Sequence, residues 1–191
     1  MQTRNITLLA LDAFGGKISG KTLFTKRIYF LAEILAKELG YYAHYYGPYS
    51  DEIAGNITIL KNLGFIKEES HGFGLYNGAG FEVRRYDYEL TGEGRNAVRW
   101  LREQRPREAK EIDEAVSRIR EAGELDYIEL SIAAKAYLIL KQANRPLTPQ
   151  DITAQAKNFS WTVDDHQIQS GVKFLEKLNL ISVKKQVPTQ N

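Results

Sequence analysis

Residues 15–22 have the sequence GGKISGKT, which fits the phosphate-loop formula of a glycine, any four residues and then Gly-Lys-Thr. In such a loop, backbone N–H groups surround a phosphate, the lysine contacts the outer phosphates and the threonine binds magnesium. The same chemistry requires a later apolar strand that ends in an aspartate for the metal. The sequence downstream shows no such strand. The rest of the chain must therefore decide in which fold this stretch lies.

The composition excludes several classes of protein. With 43% hydrophobic and 26% charged residues among 191, the chain resembles a globular protein with one domain or two small ones. It contains no cysteine, and its three histidines have no metal-ligand spacing, so we expect no disulfide, metal or cofactor. No apolar run reaches the roughly 18 residues of a membrane helix, which predicts a cytoplasmic protein with no membrane partner. A net charge of +2 does not by itself indicate a nucleic-acid partner.

The first half of the chain begins with three apolar segments. Residues 6–14 fit either a short helix capped by Asn5 or a buried strand, because periodicity does not separate the two at this length. A longer helix is predicted over 20–39, where Gly40 stops it. After a tyrosine-rich connector with a turn at 47–48, Ser50 is predicted to cap a helix over 51–63.

A hairpin follows these segments. Residues 65–69 and 81–90 have strand character and flank a glycine-rich reversal, and Thr91 is placed to cap a helix that ends before Pro106. Helices followed by a two-stranded hairpin are the order of a winged-helix unit. Within this unit the hairpin is the wing, and the helix over 51–63 is the one that would read DNA.

The last third repeats part of this pattern. Four apolar residues recur at an offset of 115, and in both copies a residue suited to a left-handed helix cap, Gly64 or Asn179, follows the third of them. The recurring pairs are Ile57 and Val172, Leu60 and Leu175, Leu63 and Leu178, and Ile66 and Ile181. Residues 17–19 likewise match 146–148, where Leu147 precedes the helix cap Thr148. By analogy, Ile18 is buried, Ser19 caps the next helix, and GGKISGKT is a turn between helices.

These observations predict a mainly α (α+β) chain of two winged-helix-like units joined by a polar linker helix. The first unit covers 1–104 and carries the glycine-rich wing, the linker or pairing helix covers 105–123, and a smaller second unit covers 124–191. In the second unit we expect helices over 131–143, 150–159 and 164–178, a strand over 180–185, and Trp161 in the core.

Three segments also resemble a known family. Residues 21–31 (KTLFTKRIYFL), 45–50 (YYGPYS) and 60–66 (LKNLGFI) are similar to YwgA-like proteins and, more distantly, to the Panacea (SocA-like) antitoxin domain. The chain has Phe24-Thr-Lys-Arg-Ile-Tyr29 where those families have Leu-Gln-Lys-Leu-x-Tyr. The resemblance covers roughly the first hundred residues. It implies a winged-helix-like domain without known catalysis, linked to regulation, toxin control or defence. Separately, residues 88–95 resemble the segment that follows the wing in MarR- and PadR-type regulators.

The main functional hypothesis is a non-enzymatic, dimeric transcriptional regulator that binds double-stranded DNA. Its phosphate and base contacts are expected from polar side chains at the start of the second helix, on the third helix and on the wing. These residues are Lys21, Lys26, Asn56, Thr58, Lys61, Asn62, Lys67, His71, Arg84 and Arg85. Arginines at 95, 99, 102, 105 and 107 extend the basic region. Alternatively, these arginines form a solvated face paired with Glu93, Glu103 and Glu108.

The competing hypothesis is a protein-interaction module, an antitoxin or adaptor, whose partner contacts the tyrosine-rich connector. The residues concerned are Tyr41, Tyr42, Tyr45, Tyr46 and Tyr49. Tyrosines supply contact area at low entropic cost, but they can equally pack the connector locally. His44 could form an acid–base pair with Tyr46 or Asp51. A structural role is the more common one for a lone histidine, and we expect no catalytic residue.

Overall fold

Apolar residues at helical spacing make the chain mainly α-helical with a small antiparallel component, as predicted. The structure is a computed structural model that describes residues 1–72 and 84–183. Its α-helices are α1 Thr3–Ala13, α2 Lys21–Ile34, α3 Asp51–Asn62, α4 Gly92–Gln104, α5 Pro106–Ala122, α6 Tyr127–Ala143, α7 Pro149–Ala156 and α8 Asp165–Lys177. Its strands are β1 Lys17–Ser19, β2 Tyr42–His44, β3 Gly47–Tyr49, β4 Ile66–Gly72 and β5 Arg84–Leu90.

The larger sheet is antiparallel with the order β1-β5-β4. In its register Ile18 lies opposite Tyr88 and Ile66 opposite Leu90, and all four side chains are buried. The predicted hairpin of the wing is therefore present as β4 and β5, and the wing tip between them lies outside the described residues. The short strand β1 was not predicted. Its addition gives the first 104 residues the order α1-β1-α2-α3-β4-β5-α4, with the β2–β3 hairpin inserted before α3.

The GGKISGKT stretch is a strand followed by a helix, so the prediction that Ser19 caps α2 is wrong. Ser19 is the last residue of β1, paired with Asp87, and Gly20 occupies the cap position with a φ of 102°. The Gly20 N–H donates to Tyr86 O at 3.0 Å, and no side chain caps the helix. The predicted burial of Ile18 is confirmed. Because β1 is an antiparallel edge strand, this segment lacks the buried parallel strand of a phosphate loop.

Several helix ends differ from their predicted positions. The first segment is a helix, and it begins at Thr3 after Gln2 rather than after Asn5. Helix α2 ends five residues before Leu39, because Ala36 adopts the left-handed conformation and its neighbour Lys37 donates to Ala32 O. Helix α6 begins four residues earlier than predicted, because Asp126 and Glu129 form a capping box at its start.

Three predicted caps are confirmed. Ser50 Oγ accepts from Ile53 N at 3.2 Å, and Thr91 Oγ1 accepts from Gly94 N at 3.0 Å. Thr148 forms a capping box before α7, which begins with a proline. These caps were recognisable because Ser and Thr before an apolar periodic segment satisfy backbone N–H groups that the helix leaves free.

The internal repeat holds at the helix ends but not in the burial of its residues. Gly64 and Asn179 are both left-handed, with φ of 72° and 54°. The hydrogen bonds around them match at the offset of 115: Phe65 N to Leu60 O with Leu180 N to Leu175 O, and Gly64 N to Lys61 O with Asn179 N to Glu176 O. Leu63, however, is 52% exposed whereas Leu178 is fully buried. Residues 181–183 form no strand, so a second wing is not seen in the part described.

Helix α5 belongs to the core, and its prediction as a connector or pairing helix is wrong. Its apolar stripe, which includes Ile112, Val116 and Ile119, is buried, and the helix packs against α1, α2 and α4. The buried residues of both predicted units form one continuous cluster. Within it, Phe30 on α2 lies edge-on to Phe174 on α8, with ring centres 5.3 Å apart.

Candidate binding surfaces and the cavity below the tyrosine hairpin

Lys26 does not reach the surface, so its predicted contact with DNA is wrong. Its side chain is 2% exposed, and Nζ donates to Pro48 O at 2.6 Å. Lys26 lies one helical turn before Tyr29 and Phe30, on the face of α2 that packs into the core. Burial, and then the positive charge of Lys135, lower the pKa of Lys26 to about 7.

In the β4–β5 hairpin, which is the predicted wing, the described lysine and arginine side chains are paired with carboxylates. Strands β4 and β5 carry three lysines or arginines and four Asp or Glu residues, so their formal charge is slightly negative. Lys67 pairs with Glu69 (3.2 Å) and Glu89 (3.1 Å), and Arg85 pairs with Asp87 (3.0 Å). In addition, Lys61 of α3 pairs with Glu68, and His71 Nε2 lies 3.4 Å from Asp87 Oδ2. The side chain of Arg84, together with the wing tip, lies outside the described part. Carboxylates beside the described cations weaken the attraction of this hairpin for phosphates.

The outward face of α3 is also poorly suited to DNA. Asn56 Nδ2 donates to Glu52 O at 2.8 Å and Thr58 Oγ1 to Ala54 O at 3.1 Å, so both bond their own helix. Asn62 is exposed, but its exposed neighbours Ile59 and Leu63 are apolar. Two carboxylates occupy the first turn. A face with apolar side chains and acidic residues favours protein contact over phosphate contact.

Three of the arginines that follow the wing are paired, which supports the alternative of a solvated face. Arg102 Nη atoms contact Asp12 and Asp113 at 2.7 Å each. Arg105 pairs with Glu108 and Arg107 with Glu111. Glu108 was a predicted partner, whereas the aspartates were not, because they lie on α1 and α5 and meet Arg102 only in the folded chain.

The predicted tyrosines divide into exposed and packed residues. Residues 42–49 form a two-stranded hairpin, here called the tyrosine hairpin, with its turn at 45–46 rather than at the predicted Gly47-Pro48. Three tyrosines are exposed at the surface: Tyr42 (44%), Tyr45 (61%) and Tyr46 (38%). Tyr49 is half-buried, and Tyr41, just outside the hairpin, packs edge-on against Tyr29 at 4.8 Å. Burial raises the pKa of Tyr41.

The tyrosine hairpin is anchored to the second half of the chain. Strand β3 packs on α6, and Trp161 Nε1 donates to His44 O at 2.8 Å. The predicted core position of Trp161 is confirmed by its 3% exposure. The ring of His44 is tilted by 35° against that of Tyr49, with the ring centres 5.1 Å apart. The group bonded to Asp51 is the hydroxyl of Tyr42, at 3.1 Å, and not His44. The contacts described here therefore do not include the acid–base pair considered for His44.

A cavity of about 440 Å³ lies below the tyrosine hairpin. Its lining residues come from the start of α2, from the tyrosine hairpin and from the first residue of α3, and they are Lys21, Thr22, Thr25, Lys26, Tyr42, His44, Tyr46, Gly47, Tyr49 and Asp51. Lys21, half-buried, also lines a second cavity of about 280 Å³ beside α3. The sequence analysis did not predict the cavity of about 440 Å³. The one indication in the sequence was Lys26, which lies at helical spacing from the aromatic residues Tyr29 and Phe30 of α2.

Comparison with protein-family models gives no match, and comparison with curated proteins gives none either. The resemblance to YwgA-like proteins therefore stays a prediction that rests on the three segments quoted above. Within residues 1–72 and 84–183, no helix is both long and apolar enough to cross a lipid bilayer.

Proposed function

We propose that this chain is a non-enzymatic protein-interaction module of the antitoxin or adaptor kind, whose partner protein contacts the tyrosine hairpin. The observation that supports it is the group of three exposed tyrosines, Tyr42, Tyr45 and Tyr46, on one short hairpin. Tyrosine rings bury a large area with little loss of side-chain entropy, and their hydroxyls can bond at the rim of an interface.

The attachment of the tyrosine hairpin makes it suited to this role. Trp161 bonds it from the second half of the chain and Lys26 from below, through Pro48 O. A hairpin that is already fixed loses little conformational freedom when a partner binds, so more of the contact energy contributes to affinity.

The test is a photo-crosslinking amino acid placed at position 45 of the full chain, inside the cell of origin. A matched control places it at Arg107, whose side chain is 90% exposed on α5, a helix that packs mainly on α1, α2 and α4 rather than on the hairpin. We expect a defined protein adduct from position 45 that is absent from position 107. The purified partner should then bind the wild-type chain and lose at least about tenfold in affinity to the triple variant Tyr42→Ser, Tyr45→Ser, Tyr46→Ser. Identical adducts at both positions, or unchanged affinity of the triple variant, would contradict the proposal.

DNA binding is the second candidate, and the order α1-β1-α2-α3-β4-β5 favours it because a winged-helix unit places α3 and the wing side by side. In this case a dimeric regulator would contact double-stranded DNA with Lys21 and the wing. A fluorescence titration of labelled mixed-sequence duplex at two salt concentrations tests it. Binding that weakens with salt and with Arg84→Ala plus Arg85→Ala would support a regulator. No binding at low salt would exclude it.

A further inference from the structure

Two lysines below the tyrosine hairpin have no counter-charge. Lys26 is buried, and the carbonyl of Pro48 is its one acceptor among the described residues. Lys135 on α6 is half-buried and lies over the Trp161 ring at 5.4 Å. Gly47 lies beside both side chains: a Cβ added there would be 3.1 Å from Lys135 Cγ and 3.6 Å from Lys26 Cε. In the part of the chain described, neither lysine forms an ion pair, whereas Lys61, Lys67 and Lys141 do.

A buried ammonium without an anion is unfavourable, because it has lost its hydration and gained one hydrogen bond in exchange. The protein itself has two ways to relieve this cost. Lys26 can lose its proton, or an anion can occupy the space beside it. The cavity of about 440 Å³, which Lys26 lines, provides that space.

The rest of the cavity wall suits an anion that carries a ring. Lys21, Thr22 and Thr25 belong to the first turns of α2, a helix of 14 residues with no side-chain cap and no acidic residue in its first turn. The positive end of such a helix favours negative charge. The lining also includes four aromatic residues of the tyrosine hairpin: Tyr42, His44, Tyr46 and Tyr49.

One carboxylate also lines the cavity and opposes an anion. Asp51 belongs to the first turn of α3, and its Oδ2 accepts from the Tyr42 hydroxyl at 3.1 Å. Two lysines, Lys21 and Lys26, line the same cavity, and a third, Lys135, contacts Gly47 of the lining. With Lys26 protonated, the balance of charge around the cavity is therefore positive.

We propose that this cavity binds a small organic anion, whose carboxylate or phosphate contacts Lys21 and Lys26 while an attached planar ring lies against the tyrosine hairpin. The inference goes beyond the proposed protein partner and does not require it. Tyr42 and Tyr46 belong to the exposed surface and also line the cavity, whereas Tyr45 does not line the cavity and Lys26, which is 2% exposed, takes no part in the surface.

The test is isothermal titration calorimetry of the full chain with three ring-bearing anions: phenyl phosphate, benzoate and AMP. Phenol supplies the ring without the charge, and inorganic phosphate the charge without the ring. We expect at least one of the three to bind about tenfold or more tightly than phenol and than inorganic phosphate, which is the effect of one charge-assisted contact. A higher affinity for phenyl phosphate or AMP than for benzoate would indicate a phosphate ligand, and the reverse order would indicate a carboxylate ligand. If none of the three binds more tightly than the two controls, the proposal is overturned.

Variants then locate the site. Lys26→Met keeps the length of the side chain and removes its charge. Lys21→Gln removes the charge of the half-buried Lys21 and leaves a polar side chain that is one atom shorter. Lys37→Met, exposed beyond the end of α2, is the matched control. Each cavity variant should weaken the ring-bearing anion about tenfold, and the control should leave it unchanged. If Lys26→Met does not fold, the affinity of Lys21→Gln for the ring-bearing anion is the test of the site. Unchanged affinity in Lys21→Gln, or an equal loss in Lys37→Met, would refute the assignment.

Discussion

Lys26 places an amine among buried aromatic side chains of α2, and burial lowers its pKa to about 7 from 10.5. Between these two values the unfolded chain binds a proton at this position and the folded chain does not. A state that binds more protons is favoured as the pH falls, so this lysine makes the folded chain less stable toward low pH. Its contribution to the unfolding free energy therefore rises from about pH 7 towards pH 10.5.

The first prediction concerns the variant Lys26→Met. The wild-type chain should gain unfolding free energy relative to this variant between pH 7 and pH 9, by up to about 1.4 kcal/mol for each pH unit. Urea denaturation at pH 7, 8 and 9 measures the difference. Lys37→Met is the control, because an exposed lysine should leave the pH dependence of the wild type unchanged. Parallel pH profiles for the wild type and Lys26→Met would show that Lys26 is protonated in the folded chain over this range.

The second prediction compares two serines that the sequence presents as equivalent caps. Ser50 Oγ accepts from Ile53 N and donates to Leu39 O, and the residue is 3% exposed. Ser50→Ala should therefore lower the unfolding free energy by about 1–2 kcal/mol. Ser19 is exposed and caps no helix, so Ser19→Ala should stay within about 0.5 kcal/mol of the wild type. Urea midpoints measure both. An equal loss in the two variants would contradict the cap positions described here.

At the scale of elements, the wing is joined to α4 by a contact that requires glycine. A Cβ added at Gly94 would overlap the carbonyl oxygen of Phe65, the residue before β4. The same junction is held by the Thr91 hydroxyl, which donates to Gly64 O at 2.6 Å. Helix α4 can therefore lie this close to the start of β4 only because residue 94 is a glycine and has no Cβ.

The third prediction follows from this junction. Gly94→Ala should destabilise the chain by at least about 2 kcal/mol, because the backbone of Phe65 would have to move. Gly92→Ala, two residues earlier in the same helix, meets nothing within 4 Å and should be neutral or stabilising by about 0.5 kcal/mol. Thermal unfolding of the two variants measures the difference. Similar losses would mean that the cost comes from helix geometry and not from the contact with Phe65.

At the scale of the whole molecule, the two predicted units share one set of buried side chains. The ring centres of Tyr29 on α2 and Tyr137 on α6 are 6.3 Å apart, and Phe30 packs against Phe174 on α8. The stripe of α5 is buried in the same cluster. Halves that share a core lose stability together, so we expect one cooperative unit.

The fourth prediction uses the two tryptophans of the chain. In Trp100→Phe, an exposed tryptophan of α4 is removed, and the fluorescence then reports Trp161 in the second half alone. Its urea transition should coincide with the transition measured by far-UV circular dichroism, which reports the helices of both halves. A second dichroism phase without a counterpart in the fluorescence would instead support separate folding of 1–104 and 124–191.

The sequence by itself determined the helical class, the hairpin of the wing and the caps at Ser50, Thr91 and Thr148, because these depend on local patterns. It also determined the left-handed residues Gly64 and Asn179. Only the tertiary structure decided that Lys26 is buried and that α5 is part of the core. The same is true of the carboxylates paired with the wing cations. Burial and ion pairing depend on segments far apart in the chain, and a local pattern contains no information about which of them meet.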